Sequence, residues 1–400
     1  MPRLPNAPRR SVLRTLLIVV VVLAGAGEAR AQDTVGDILS FLLTNRSVVT
    51  DDFARDAAAT AATRDAITRA LLLEVATLPI SSSSGGFTYR FNPALGVTER
   101  ASDSFGPIFV ERALTAGRGR ASFGASYRFN RFVELDGADL RDGTLVTTGN
   151  RFSDESTPFD VETLSLRLET NTATFVGSVG ITDWLDVSAA LPLVWVKLDG
   201  ERVNTFRGRS TTQATASSRV TGLADLALRA KVRLAGRGGS GLALGTEVRV
   251  PTGQEEDLLG AGKASVKGQV IVSAEGGPVG FHLNGGYRAG GIADEIDGGA
   301  ALTLAPAARL TFVAEVFGRR VNGLGRLTSI EQAHPTIVGV RTIRLASDGT
   351  DVTSGVGVFG MKWNLGSTWL LNASVALPLT DNGLKSRPVP SVSLDYAFGR

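Results

Sequence analysis

The sequence predicts an all-β fold, an antiparallel transmembrane β-barrel of about 12 strands (12 to 14), preceded by an α-helical segment. Three observations predict it. From about residue 119 onward, apolar and polar residues alternate with period two, strand after strand. The connections between these strands alternate between short and long, as in a barrel with tight turns on one side of a membrane and larger loops on the other. Beyond the first 31 residues no apolar run is long enough for a membrane helix, and a closed barrel is then the remaining structure whose backbone can be satisfied in lipid.

The first element, residues 1–31, reads as a secretory signal peptide. Arg9, Arg10 and Arg14 form its basic start, Leu16 to Ala24 its apolar centre, and Ala29-Arg30-Ala31 the small-x-small site after which cleavage is expected. These residues hold five Arg and one Glu, a net +4 against the chain's +3, so the remainder is near −1. The basic character belongs to the export signal and gives no support to nucleic-acid binding. The chain has no cysteine, so an exported protein of this size relies on hydrogen bonds and burial.

Residues 32–80 read as a helical segment in the periplasm or at the periplasmic mouth. Val35 to Leu43 is short and apolar. Phe53, Ala57, Ala61, Ile67, Leu71, Val75 and Leu78 then recur mostly every three or four residues, interrupted at Arg64. Ser81 to Gly86 breaks the pattern. Residues 81–118 read as a linker in which Phe87 to Phe91 and Pro107 to Val110 could form one extra hairpin, and residues 119–400 as the barrel.

The barrel strands are expected near 119–133, 161–181, 184–199, 219–234, 240–251, 264–275, 278–290, 296–305, 308–320, 352–365, 367–380 and 388–400. Thr182-Asp183, Ala235 to Gly239, Gly276-Gly277, Pro306-Ala307 and Gly366 are the short turns; 134–160, 200–218, 252–263, 291–295, 321–351 and 381–387 are the other connections. Trp184 and Trp369 each follow a short turn, where an interfacial aromatic girdle belongs, and Tyr396 and Phe398 lie at the chain end. Thr182-Asp183-Trp184-Leu185 leading to Ala190-Leu191-Pro192-Leu193 is echoed by Ser367-Thr368-Trp369-Leu370 leading to Ala376-Leu377-Pro378-Leu379, as hairpin duplication would leave it.

Gly180 to Val187 with Ala190-Leu191-Pro192, Gly222-Leu223-Ala224-Asp225 with Lys231 and Arg233, and Val250-Pro251-Thr252-Gly253 together resemble motifs of the outer-membrane family named for the meta-pathway of phenol degradation. That family usually carries Gly where Ala224 stands. The resemblance spans about 160–400. It implies a barrel that transports hydrophobic or aromatic compounds, and it carries over no catalytic residue.

On the polar face the alternation collects Arg128, Arg167, Arg229, Lys231, Arg233, Arg249, Lys267, Arg288, Arg319 and Lys362, with Glu169, Asp225, Glu247, Glu315 and Asp395; His282 joins them. An Arg or Lys facing lipid at mid-membrane costs ~2–4 kcal/mol, so these side chains are expected to line the lumen. They would form either a solute path favouring anions or an ion-pair ladder that only fills the barrel. His282 has Ser273 as a candidate neighbour for hydrolytic chemistry, although a solvated lumen histidine explains it more simply. Gln254-Glu255-Glu256-Asp257 lacks EF-hand spacing and reads as loop charge rather than a Ca²⁺ site. Gly236-Arg237-Gly238-Gly239 reads as a turn.

The expectation is a passive outer-membrane channel for small solutes, hydrophobic or aromatic ones among them, that is not an enzyme and uses no cofactor or metal. Its partners would be outer-membrane lipid, the barrel-assembly machinery and an unidentified small solute, with no nucleic acid. The alternatives are a structural or adhesion barrel with a blocked lumen and a barrel-embedded lipid hydrolase.

Overall fold

The computed structural model describes residues 33–43, 61, 64–65, 67–73, 82, 86, 88–92, 97–366 and 368–398. The expected signal peptide, its cleavage site and much of the 53–78 stripe lie outside the described residues. Twelve long antiparallel strands close the barrel. They are β1 (Ala121–Leu135), β2 (Asp160–Gly180), β3 (Leu185–Phe206), β4 (Leu226–Arg237), β5 (Ser240–Val250), β6 (Ser265–Gly276), β7 (Val279–Gly290), β8 (Glu295–Ala307), β9 (Leu310–Val321), β10 (Val352–Gly366), β11 (Trp369–Pro378) and β12 (Val389–Phe398). Pairing of β12 with β1, from Ser391 opposite Arg128 to Phe398 opposite Ala121, closes the ring.

One end of the barrel carries tight turns. Gly277, with φ +55°, makes the turn from β6 to β7 in a backbone region that favours glycine. At the other end the connections form structure of their own. β2 and β3 run for 21 and 22 residues, about twice the ~9–11 that cross a membrane. Their surplus continues past the barrel at the long-loop end, where Arg209–Leu223 pairs with β3 and Leu145–Phe152 with β2. A hairpin of Leu327–Ala333 and Val340–Ser347 joins the same extension, with Val340 opposite Phe152. The expected loop 200–218 is thus largely strand. Pro192 sits where β3 changes partner: pairing with β4 ends at Ala190, and pairing with Arg209–Leu223 begins at Leu193. A residue without an N–H is tolerated at that switch.

The wall alternates as the sequence predicts. Phe123, Leu228, Leu244, Val270, Leu283, Leu302, Phe312 and Met361 are exposed on the outside, and Trp184 and Trp369 are exposed beside the short turns. Leu244 lies mid-strand, opposite Val232 and Val270. Leu244→Arg is therefore expected to lower stability by ~2–4 kcal/mol, measured by urea titration of folding into lipid vesicles. A cost no larger than that of Leu244→Ala would contradict the outward assignment.

The N-terminal helix α1 (Val35–Leu43) lies elsewhere than its sequence suggests. Thr34 and Asp37 form a capping box: the Asp37 N–H donates to Thr34 Oγ1 at 3.0 Å, and the Thr34 N–H donates to Asp37 Oδ2 at 3.1 Å. The Gly36 N–H donates to the Glu256 carbonyl at 2.7 Å, and the Val35 N–H to Asp257 Oδ1 at 3.3 Å. The helix is thus tied to the connection between β5 and β6 at the long-loop end, not to the short-turn mouth that the sequence suggests. Its apolar face, Val35, Leu39 and Leu42, packs in one core with Leu164, Leu166 and Leu168 of β2 and Val194, Val196 and Leu198 of β3. A Cβ at Gly200 would come within 2.2 Å of Leu42 Cδ1, so a larger residue there would push the Leu42 side chain aside. Residues 67–73 are helical too, and Ile67, Leu71 and Leu72 join this core.

The expected linker holds a two-stranded hairpin, Tyr89–Asn92 with Val97–Arg100, which pairs with itself and adds no strand to the barrel. Residues 107–110 are not strand; they lie against inward side chains of the wall.

Candidate functional site

Fourteen of the sixteen residues expected in the lumen belong to the inward rows: Arg128, Arg229, Lys231, Arg233, Glu247, Arg249, Lys267, His282, Arg288, Glu315, Arg319, Lys362 and Asp395 on strands, and Asp225 at the head of β4. Arg167 and Glu169 face outward. On β2 the buried row is even-numbered, with Glu162, Leu164, Leu166 and Leu168 pointing in. The sequence reading placed the apolar row against lipid, but past the membrane the apolar row serves α1 and the polar row meets water. Glu169 there accepts from Arg131 Nε at 2.8 Å across the outer surface.

The inward charges form a network centred on Glu247. Its Oε1 accepts from Arg249 Nε at 2.9 Å and Arg288 Nη2 at 2.8 Å, and its Oε2 from Arg229 Nε at 2.7 Å. Arg288 Nε also reaches Glu295 at 2.9 Å, and Lys267 Nζ reaches Asp297 at 2.7 Å. Buried charge persists only where it is paired like this. The network borders a chamber of about 230 Å³.

Below the chamber, residues 105–118 run through the lumen as a plug. Most of their backbone bonds go to wall side chains rather than to a neighbouring strand. Glu315 accepts from the N–H groups of Ile108, Phe109 and Val110. Asn284 takes the Glu111 N–H at 2.6 Å and returns a bond to the Glu111 carbonyl at 2.9 Å. Ser273 Oγ accepts from Ala113 N at 2.9 Å, and Asp186 Oδ2 from Ala116 N at 2.9 Å. Lys362 Nζ donates to the carbonyls of Phe105 and Pro107. At the short-turn end Asp183 accepts from Arg118 N at 3.1 Å. Lys362 and Glu315, expected to line a path, grip the plug instead.

The motifs of the resemblance acquire roles in this arrangement. Thr252 Oγ1 donates to the Ala224 carbonyl at 2.8 Å and accepts from Leu226 N at 3.0 Å. Asp225 accepts from Gly253 N at 3.1 Å and Ala261 N at 2.9 Å. The two motifs lock together and draw the β5–β6 connection inward, which places Leu258 and Leu259 in the core around α1. The Thr182–Asp186 turn supplies the two carboxylates that hold the lower plug. The acidic run 254–257 acts as the anchor of α1, and among the described residues no cluster could hold a metal ion.

Ser273 Oγ and His282 Nδ1 lie 2.9 Å apart, as their pairing in the β6–β7 hairpin requires. Both are buried, and neither borders the chamber. Ser273 Oγ already accepts the Ala113 N–H, so the pair secures the plug and offers no surface to a substrate.

Glu111, Arg112, Asp186, Glu295 and Asp297 also face the interior but were missed as site residues. Glu111 and Arg112 sit in a stretch without periodicity. Glu295 and Asp297 fall at a strand start, where the loop boundary is the weakest signal. Asp186 alone could have been found, since it alternates inward opposite Lys231.

Outside the membrane, Glu331 bridges Arg151 at 2.7 Å and Arg341 at 3.0 Å, and these guanidinia hold its carboxyl down at about 2. A depressed carboxyl supports the fold above its ordinary value and loses that support as pH falls through its lowered one. The outer hairpins should therefore resist limited proteolysis equally at pH 7 and pH 6 and loosen progressively between about pH 4.5 and pH 2, while Glu331→Gln loosens them at pH 7. Loosening of the native protein already at pH 6 would contradict the bridge.

Comparison with curated proteins returns no match. Among solved structures, an outer membrane channel from Pseudomonas putida F1 is similar at 12% identity and TM-score 0.47, with 72% of this chain and 98% of that one covered. The toluene transporter of Ralstonia pickettii is similar at 11% identity and TM-score 0.28, with 70% and 89% covered. The translocator domain of an autotransporter from Neisseria meningitidis is similar at 11% identity and TM-score 0.30, with 70% and 89% covered. Residues 149–317, which hold the interlocked motifs and most of the charged network, match the model of the family described as putative MetA-pathway of phenol degradation, the family that those motifs resemble.

Proposed function

We propose that this protein is an outer-membrane channel for small solutes, hydrophobic or aromatic ones among them, whose path is closed at rest by its own N-terminal segment. In this reading the short turns face the periplasm and α1 closes the outer mouth. The observation that carries the reading is the chamber between the cap around α1 and the plug below Glu111, since a barrel built only as a scaffold has no need of a charged space at its centre. Nothing in the arrangement supplies energy, so transport would be passive. The bonds that fasten residues 105–118 to the wall favour the rival reading, a permanently blocked structural barrel.

Loosening the cap tests the two. Leu39→Asp/Leu42→Asp places carboxylates in an apolar core, and burying an unpaired carboxylate costs several kcal/mol, so α1 should leave the mouth. Proteoliposome swelling in arabinose is expected to accelerate for this variant relative to the native protein. A folded variant as impermeable as the native protein would favour the blocked barrel.

A further inference from the structure

The cap and the plug belong to one stretch of chain, and its contacts give the order in which it meets the barrel. α1 is fastened at the long-loop end. Leu73 is at that end too, packed with Leu324, with Val321 at the close of β9 and with Val352 at the start of β10. Ser82 lies at mid-depth. Its N–H donates to the Ile108 carbonyl at 2.8 Å and its hydroxyl to Glu111 Oε2 at 3.2 Å, and Glu111 in turn meets Arg229 and Lys231 of β4. Gly86 lies at the short-turn end, where an added Cβ would meet Leu370 at the start of β11 and the Phe105 carbonyl. Arg100 then donates to the Ala308 carbonyl, in the turn between β8 and β9, at 3.3 Å. Residues 105–118 rise to Phe109 and Glu111 and come back down to Asp183, so that β1 starts at the short-turn end.

From Leu73 to Arg100 the chain therefore descends from one end of the barrel to the other, and it does so inside the wall. Ser82 is bonded to the plug, which the inward side chains of Asn284 and Glu315 hold. A crossing through lipid would need a satisfied backbone, and no helix among the described residues is long and apolar enough to supply one. The thirteen residue steps from Leu73 to Gly86 reach up to ~45 Å when extended, against the ~30 Å of a hydrocarbon core. The ends of the strand ladder, β1 and β12, both lie at the short-turn side, so a preceding segment that served only to seal that mouth would have no reason to cross. This one continues to the far end, where α1 buries Val35, Leu39 and Leu42 and leaves Phe41 exposed. Strand order permits the arrangement: the last strand made, β12, closes the ring against β1 and can enclose a segment made before either.

We infer that the barrel carries its own N-terminal segment once through its lumen and displays α1 at the cell surface, while the chain around Asp103 faces the periplasm. Surface display is a function additional to solute passage. It rests on the orientation given with the channel reading and does not require that solutes pass.

Single cysteines in intact cells test it, because the chain has none of its own. Phe41→Cys and Asp103→Cys probe the two ends of the segment, and Val338→Cys at the tip of an outer hairpin is the reference; all three positions are exposed. The probe is a maleimide on a polyethylene glycol chain too bulky to enter the periplasm. It is expected to label Phe41→Cys and Val338→Cys in intact cells, and Asp103→Cys only after the outer membrane is permeabilised. Labelling of all three in intact cells would show that the segment does not cross. Labelling of Val338→Cys but not Phe41→Cys in intact cells would place α1 on the periplasmic side. Either result overturns the inference. Labelling of Asp103→Cys alone in intact cells would overturn surface display together with the orientation. Swelling of proteoliposomes holding the same variants keeps the two readings apart: the expected labelling without permeability sinks the channel and keeps the display, whereas permeability without labelling of Phe41→Cys keeps the channel and sinks the display.

Discussion

Removing residues 34–118 is expected to turn a closed barrel into a steadily conducting pore. The deletion takes away α1, the helical residues 67–73 and the plug that reaches Asp183 at the far end. The strand ladder, from β1 round to β12, contains no bond to any of them. The shortened chain should therefore still fold and show heat-modifiable migration. A barrel of about eight strands is filled by its own side chains, and the interior widens with strand number. Twelve strands without the segment should leave a continuous aqueous path past Glu315, Lys362, Asn284 and Asp186. Single-channel recording is expected to show long-lived openings where the native chain is mostly silent. A folded deletion that stays silent would mean that wall side chains close the lumen without help.

The second large effect is expected at Glu247. Its carboxylate is buried and receives three guanidinium groups. Glu247→Leu leaves Arg229, Arg249 and Arg288 facing one another without it, and breaking a buried pair from one side costs ~3–5 kcal/mol. Arg229→Leu should cost less, because Glu247 keeps Arg249 and Arg288. Arg167→Leu, on the outer surface, should stay within ~0.5 kcal/mol. Urea titrations of folding into vesicles give the order Glu247, Arg229, Arg167. Equal costs for Glu247→Leu and Arg167→Leu would contradict the buried network.

How far the sequence could be read follows from which signals are local. Period-two alternation is a property of each strand, so the all-β fold, the strand positions and most inward residues were legible. The facing of Arg167 and Glu169 was not, since the apolar row of β2 changes duty along its length. Alternation continues unbroken, but in the outer extension Leu164, Leu166 and Leu168 meet α1 instead of lipid. The plug was illegible for a different reason. Residues 105–118 satisfy their backbone through side chains up to 257 positions away, such as Lys362, so they need no periodicity of their own. Their partners then looked like the lining of an open path. The acidic run at 254–257 likewise takes its meaning from Val35 and Gly36, more than two hundred residues earlier in the chain.

If the N-terminal segment is the gate, locking it in place should keep the pore shut. A Cβ on Gly36 would lie 3.8 Å from the Glu256 Cα, within disulfide reach, and the chain has no native cysteine to interfere. Single-channel recording of Gly36→Cys/Glu256→Cys is predicted to show brief openings under reducing conditions. These should vanish on oxidation and return when reductant is added. Openings of the same frequency and size in the oxidised, demonstrably cross-linked protein would contradict the claim.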